Sequence, residues 1–160
     1  MSRFESAGAG GATARFAAGE VRILSDRARQ LADLVENRTD HSSDPAIERL
    51  LPDGYRENAD DAAEFRRYTE GDLADGKVRN ARTVLASLSG PTRRWRTHVT
   101  LDAAGVGAWL RTLTDLRLTL AARLGVERDG TIPSSSDAVT RAIYEWLGYL
   151  QETLVEAIDT

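Results

Sequence analysis

The sequence predicts an all-α fold: a bundle of four long helices plus a short one, with at most a minor two-stranded β-ribbon. Four stretches repeat apolar residues at steps of three and four, which lines one side of a helix with them. Gly90 with Pro91, and later Gly125, stand where two of these stretches end. Only two short segments alternate as strands do. Helices therefore dominate the prediction.

The chain is predicted to consist of a flexible segment, residues 1–12, and a single helical domain, residues 13–160. A length of 160 residues suits one domain with a hydrophobic core. The first twelve residues include Gly8, Gly10 and Gly11 and offer little apolar surface to bury, which predicts mobility at a terminus.

The first half of the domain is predicted to contain three helical elements. Leu24, Ala28 and Leu31 share a face of the first long helix, residues 18–36. A short helix is expected over residues 45–51, because proline suits the first turn of a helix. A second long pattern covers residues 60–88. It is expected to break near Thr69, because Thr69 and Asp72 match the spacing of a capping box.

The two strand candidates are residues 12–16 (ATARF) and residues 97–101 within WRTHVTL, and a ribbon of these two would depend on the helices for its stability. Asp102 is a suitable N-cap for the helix that follows, and Gly125 a suitable terminator. The serines after Pro133 can cap the last helix, whose stripe includes Ile143, Leu150 and Leu154. The residues predicted to be buried are Leu24, Leu31, Phe65, Leu85, Trp109, Leu113, Leu120, Ile143, Trp146, Leu150 and Leu154.

Composition excludes several classes of function. The chain has no cysteine, which rules out disulfides, thiol catalysis and cysteine-based zinc sites. No run approaches the roughly 20 apolar residues that span a bilayer, and a secretory signal is absent from the N-terminus, so a cytoplasmic location without membrane contact is expected. The net charge of −4 favours solubility and disfavours nucleic acid as the main partner.

The sequence contains no recognisable set of catalytic residues. There is no Gly-x-Ser-x-Gly elbow, and the glycines at positions 8, 10 and 11 complete neither a dinucleotide fingerprint nor a P-loop. Neither His41 nor His98 has a glutamate three residues before it, as carboxylate-bridged metal sites in bundles require. The sequence therefore predicts no catalytic residues, no metal and no cofactor, and an enzyme with an unrecognised site stays an alternative.

Nucleic-acid binding is considered at two places. The segment LAARLGV, residues 120–126, resembles the first part of a helix-turn-helix, but the residues after it, Pro133 among them, are poor material for a recognition helix. In PTRRWRTH, Arg93, Arg94 and Arg96 can meet phosphates while Trp95 stacks on a base. The competing interpretation is that the arginines coat a loop and the tryptophan packs inward.

Residues 50–88 carry more arginine and tyrosine than packing requires. These residue types are enriched at protein interfaces. The candidate partner-binding residues are Tyr55, Arg56, Arg66, Arg67, Tyr68, Lys77 and Asn80. The alternative is structural: the same side chains hold the helices together through buried polar contacts.

Three blocks resemble the actinobacterial domain-of-unknown-function family numbered two-thousand-and-seventeen: residues 50–88 (LLPDGYRENADDAAEFRRYTEGDLADGKVRNARTVLASL), WLRTLTDLRLTLAARLG and AIYEWLGYLQETLVEAI. The resemblance covers about residues 15–158. It implies a cytoplasmic, mainly helical actinobacterial protein without established activity, whose gene often lies beside that of the Clp protease adaptor. Some members carry a regulator label.

The leading hypothesis is a non-enzymatic protein-interaction or adaptor-like protein, linked to Clp proteolysis only through that gene neighbourhood. A nucleic-acid-binding transcriptional regulator is the alternative. An unidentified protein partner is expected, and a homodimer is a further alternative because the last two helices have wide apolar faces.

Overall fold

The computed structural model describes residues 2–38, 44–51, 60–126, 130–133 and 137–159, and the side chains of residues 60–68 lie outside that description. The described residues form five helices and a four-stranded antiparallel sheet. The helices are α1 (Ala18–Glu36), α2 (Pro45–Leu50), α3 (Asp60–Ser87), α4 (Ala103–Leu124) and α5 (Ala138–Ile158). The predicted four long helices and one short one are thereby confirmed.

The helix termini follow local chemistry in most places. The Asp102 carboxylate accepts a hydrogen bond from the Gly105 amide at 2.7 Å, and Gly125 adopts the left-handed conformation (φ 72°) that ends α4. Asp137, rather than a serine, is the N-cap of α5. The predicted break near Thr69 is wrong, because α3 continues through that position without interruption.

The sheet is larger than the predicted two-stranded ribbon. Its strands are β1 (Glu5–Gly8), β2 (Gly11–Ala17), β3 (Thr92–Arg93) and β4 (Arg96–Leu101), in the order β1-β2-β4-β3. The pairing of β2 with β4 is the predicted one. The all-α class needs correction to a mostly helical fold with an antiparallel sheet. The two added strands escape sequence analysis because they are only four and two residues long and show no apolar alternation.

The N-terminal segment contributes to the core, contrary to the expectation that residues 1–12 bury little surface. Gly8, Ala9 and Gly10 all have positive φ angles, so the glycines form the tight turn between β1 and β2. Phe4, just before β1, is 1% exposed, and its amide donates to the Thr153 hydroxyl of α5 at 3.2 Å. The glycine run is therefore a turn that returns the chain to the sheet.

The sheet packs on α1, α4 and α5 through its inner face. Three aromatic rings meet there. Trp109 of α4 is stacked on Phe16 of β2 at 6.0 Å between centroids, and Phe4 contacts both edge-on, at 5.3 Å from Trp109 and 5.8 Å from Phe16. This cluster joins the sheet to the helices in one core.

Most of the predicted core is confirmed. Buried as predicted are Leu24, Leu31, Trp109, Leu113, Leu120, Ile143, Leu150 and Leu154. Leu85 and Trp146 are only half-buried, although both pack against this core, and the side chain of Phe65 lies outside the description. The three-and-four spacing of α5 also predicts that Val139 belongs to the buried stripe, but Val139 is 66% exposed, so the stripe begins one turn later, at Ile143.

Replacing Phe4 by leucine tests the placement of the N-terminal segment. We expect the free energy of unfolding to fall by about 1 kcal/mol, because leucine keeps apolar volume but loses the two edge-on ring contacts. Urea unfolding followed by circular dichroism measures the change. Glu5→Gln, on the exposed side of the same segment, is the control and should leave the midpoint unchanged. Equal midpoints for the two variants would mean that Phe4 does not pack in the core.

Candidate functional site

The solvent side of the sheet carries a polar and largely cationic set of side chains. Because side chains alternate along a strand, Phe16 and Val99 face the core while their sequence neighbours face solvent. Thr13, Arg15, Arg96, His98 and Thr100 lie on the solvent side. The strand register places Arg15 directly opposite His98, and Arg93 directly opposite Arg96. Cross-strand partners share a face, so Arg93 joins this group.

The hairpin between β3 and β4 extends the group with Arg94 and Trp95. Both residues have positive φ angles, 50° and 68°, which is typical of a two-residue type I′ turn. That turn favours asparagine and glycine, and left-handed backbone costs other residues roughly 1–2 kcal/mol each. Trp95 is 91% exposed, the highest value among the large apolar side chains of the described residues. The turn thus holds an indole ring in solvent at an energetic cost.

We call the set Arg15, Arg93, Arg94, Trp95, Arg96 and His98 the arginine face. All of its side chains except Trp95 line two adjoining shallow grooves of about 520 and 420 Å³, which share Arg15, Arg96 and His98, and the larger groove is also lined by Arg3 and Glu5. Within the part of the chain that the structure describes, no carboxylate lies at ion-pair distance from Arg15, Arg93 or Arg94. Like charges directly opposite each other destabilise a strand pair, so the Arg93–Arg96 pair adds a second local cost.

Arg96 is the one member that is held in position by hydrogen bonds within the described residues. Its guanidinium donates to the Ser2 hydroxyl at 3.1 Å and to the Arg15 carbonyl at 3.5 Å. The Ser2 hydroxyl donates in turn to the Glu20 carboxylate at 2.6 Å, which also accepts from the Ala17 amide at 2.8 Å. Glu20 therefore orients Arg96 through Ser2, without pairing with it directly.

The structure brings together the four residues that the sequence suggested for nucleic-acid contact, Arg93 to Arg96. The competing expectation that Trp95 packs inward is wrong. Sequence analysis missed Arg15 and His98 as neighbours of this group. The polar residues of TARF and RTHVTL alternate with apolar ones, which signals a shared solvent face, but the opposition of Arg15 and His98 depends on the pairing of distant strands.

The candidate partner-binding residues of the 50–88 segment are not brought together in the same way. Tyr55 and Arg56 lie outside the described residues, and Arg66, Arg67 and Tyr68 are in α3 but their side chains are outside the description. Lys77 is engaged within the molecule, and Asn80 lies beside it, half-buried, in a groove between α3 and α4.

Lys77 and Asp115 form an ion pair between α3 and α4. The lysine Nζ lies 2.7 Å from a carboxylate oxygen of Asp115, and the side chains are only 15% and 5% exposed. Burial raises the pKa of the Asp115 carboxyl, although the hydrogen bond and charge of Lys77 oppose that shift. For Lys77 this contact has the geometry of a clamp between two helices, which was the structural alternative.

Other kinds of site find little support among the described residues. They contain no cluster of three or more side chains that could ligate a metal, and His41 is outside them. After α4 ends at Leu124, the next described helix is α5, which begins only at Ala138, so the helix-turn-helix geometry is not formed there. None of the described helices is long and apolar enough to cross a membrane.

Comparison with known families identifies the family of this chain. The model of the family "Domain of unknown function (DUF2017)" matches residues 1–158. The chain belongs to this family. The description of the family states no function, so the geometry of the sheet remains the main guide to what the chain does.

Curated mycobacterial relatives carry a functional name. The chain is 29% identical over 147 residues to a Mycobacterium tuberculosis protein named "Oxidative stress regulator AosR", with 82% of this chain and 66% of that protein covered. It is 31% identical over 131 residues to a Mycobacterium leprae protein also named AosR, with 72% and 58% covered. The chain thus spans less than two thirds of the length of these relatives. No solved structure matches the chain.

Proposed function

We propose that this chain is a non-enzymatic regulatory protein that acts by binding a macromolecular partner through the arginine face. The observation that carries the proposal is the exposure of Trp95, which is 91% exposed on a strained turn between Arg94 and Arg96, and neither arginine has a carboxylate at ion-pair distance among the described residues. Tryptophan and arginine are the residue types that contribute most to binding energy at interfaces.

Two local features that lower the stability of the free protein support a binding role for the hairpin. Left-handed backbone at Arg94 and Trp95, and the facing charges of Arg93 and Arg96, both destabilise the free protein. Strain of this kind persists at positions where it serves recognition or switching. A bound partner would offset the charge repulsion and would bury the indole ring, so the facing charges that destabilise the free protein would favour the complex.

The names of the relatives suggest which process such binding would serve. Those proteins are named oxidative stress regulators. Direct sensing of oxidants commonly uses a cysteine thiolate, and the 160 residues of this chain contain no cysteine. We therefore assign to this chain the output side of regulation, the contact with a partner, rather than the chemistry of sensing by a thiol.

Replacing the turn with its preferred residues separates binding from folding. We expect the double variant Arg94→Asn, Trp95→Gly to lose its partner while its melting temperature stays the same or rises by a few degrees, because asparagine and glycine relieve roughly 1–2 kcal/mol of backbone strain per residue. The immobilised proteins are incubated with an actinobacterial lysate, and the retained proteins and nucleic acids are identified.

The control is Val139→Thr, which alters another exposed apolar side chain at the start of α5, away from the hairpin. Wild type and this control should retain the same partner, and the turn variant should not. Recovery of that partner by all three proteins, or of none by the wild type, would contradict the proposed function.

A further inference from the structure

We propose that the arginine face binds a single strand of nucleic acid, with its arginines on the phosphates and Trp95 stacked on a base. This inference rests on the proposed function and names the chemical class of its partner. Guanidinium groups match phosphate oxygens with paired hydrogen bonds. A phosphate seated between Arg93 and Arg96 would turn the repulsion of this facing pair into joint attraction.

The layout of the charges suits an extended chain of phosphates. Successive residues on one face of a strand are about 7 Å apart, comparable to the separation of neighbouring phosphates in an extended strand. Arg96 and His98 stand at that interval on β4, and Arg15 and Arg93 flank them on β2 and β3. The face is therefore a patch of positive charge on a protein whose net charge is −4. At physiological salt, charges beyond about 8 Å are screened, so this local patch governs binding.

Arg96 is prepared for such contact by its fixed position. Its hydrogen bond to Ser2, which Glu20 holds, restricts the guanidinium before any ligand arrives. Groups that are ordered in advance lose less entropy on binding. The neighbouring arginines remain free to follow the path of the strand.

Trp95 favours a single strand over a duplex and over an acidic protein segment. An exposed ring at a hairpin tip can stack on an unpaired base, whereas the bases of a duplex are already stacked on each other. An acidic peptide would satisfy the arginines, but protein interfaces need an apolar centre. Besides Trp95, the solvent side of the sheet carries threonines, arginines, His98 and Glu5, and no second large apolar side chain among the described residues.

Fluorescence titration with a short oligothymidylate tests the inference. Trp109 is buried and Trp146 half-buried, so quenching by the oligonucleotide reports mainly on Trp95. We expect binding that weakens with salt, with a slope of log K against log salt of about −0.7 for each phosphate neutralised. Anisotropy of a labelled oligonucleotide gives the affinity of the variants that lack the indole.

Two kinds of variant should respond differently. Trp95→Ala should weaken binding by about tenfold with an unchanged salt slope, because it removes stacking only. Arg93→Gln, Arg96→Gln should weaken binding and also make the slope shallower by about 1.4, because two phosphate contacts are lost. Arg79→Gln, Arg111→Gln removes two exposed arginines outside the face and should change neither quantity.

The outcomes separate this inference from the proposed function. If a duplex of the same length, or a polyglutamate of equal charge, binds as tightly as the single strand, the occupant is not a single strand and the inference fails. If the wild type binds no oligonucleotide at low salt, it fails as well. In either case, loss of a captured protein in the turn variant would still uphold the proposed function.

Discussion

Replacing Trp109 by alanine is expected to lower the free energy of unfolding by about 3–5 kcal/mol, a large part of the 5–15 kcal/mol typical of a small domain. Trp109 is fully buried, is stacked on Phe16 and is in edge contact with Phe4. Its ring nitrogen donates to the Ser87 hydroxyl of α3 at 2.9 Å. The substitution therefore opens a cavity where the sheet, α3 and α4 meet.

Urea unfolding, with near-ultraviolet circular dichroism as the signal, measures this loss. Trp109→Phe keeps a ring in the core and removes the hydrogen bond, so about 1–2 kcal/mol should be lost through that bond and the smaller ring. Trp95→Ala changes the same residue type at an exposed position and should be nearly neutral. A Trp109→Ala protein as stable as Trp95→Ala would show that the aromatic cluster does not hold the core.

The helices were accessible from sequence because their determinants are local. The stripe of α1, the Asp102 cap and the Gly125 terminator each depend on residues within a few positions of one another. β1 was not accessible, because its four residues gain their stability from pairing with β2 and from the burial of Phe4. The glycines around Ala9 are equally compatible with a mobile tail and with a tight turn, and composition alone favoured the tail.

The candidate site was only partly predictable, for a related reason. Arg93 to Arg96 are contiguous, so the run was visible in the sequence. Its conformation was not, because left-handed backbone at an arginine and a tryptophan opposes the usual residue preferences. Whether Arg15 and His98 join the site depends on the register between two strands that lie some eighty residues apart along the chain. The hydrogen bond from the Arg96 guanidinium to the Arg15 carbonyl connects the same two strands. The residue patterns predicted that these two strands pair, but they did not fix the register between them.

The sequence also left open whether Lys77 contacts a partner or holds two helices together. Its replacement is the second prediction with a large expected effect. Lys77→Met should lower the free energy of unfolding by about 3–5 kcal/mol at pH 8, because the Asp115 carboxylate would be left buried without its counter-charge. Methionine has a similar length, so the packing of the stem is largely kept. Urea unfolding at pH 8, 6 and 5 measures the change.

The pH dependence of the loss follows from the raised pKa of Asp115. Burial raises that pKa above its unfolded value of 3.8, and without Lys77 it should rise further. Between pH 3.8 and the raised pKa of the folded protein, Asp115 binds more protons in the folded state than in the unfolded state. The stability that comes from protonation of Asp115 is therefore fully present below pH 3.8, and it is lost as the pH rises through the pKa of Asp115 in the folded protein. The deficit of Lys77→Met relative to wild type should shrink from pH 8 to pH 5.

Two controls make the role of the buried charge specific. Lys77→Met combined with Asp115→Leu removes both charges and should recover much of the loss, because an apolar pair can replace a buried ion pair at little cost. Arg82→Met breaks an ion pair with Glu36 whose partners are 62% and 40% exposed, and should cost at most about 1 kcal/mol. An equal deficit at all three pH values, or a double variant no more stable than Lys77→Met, would mean that the loss comes from packing. In that case the Lys77–Asp115 contact would not act as an electrostatic clamp between α3 and α4.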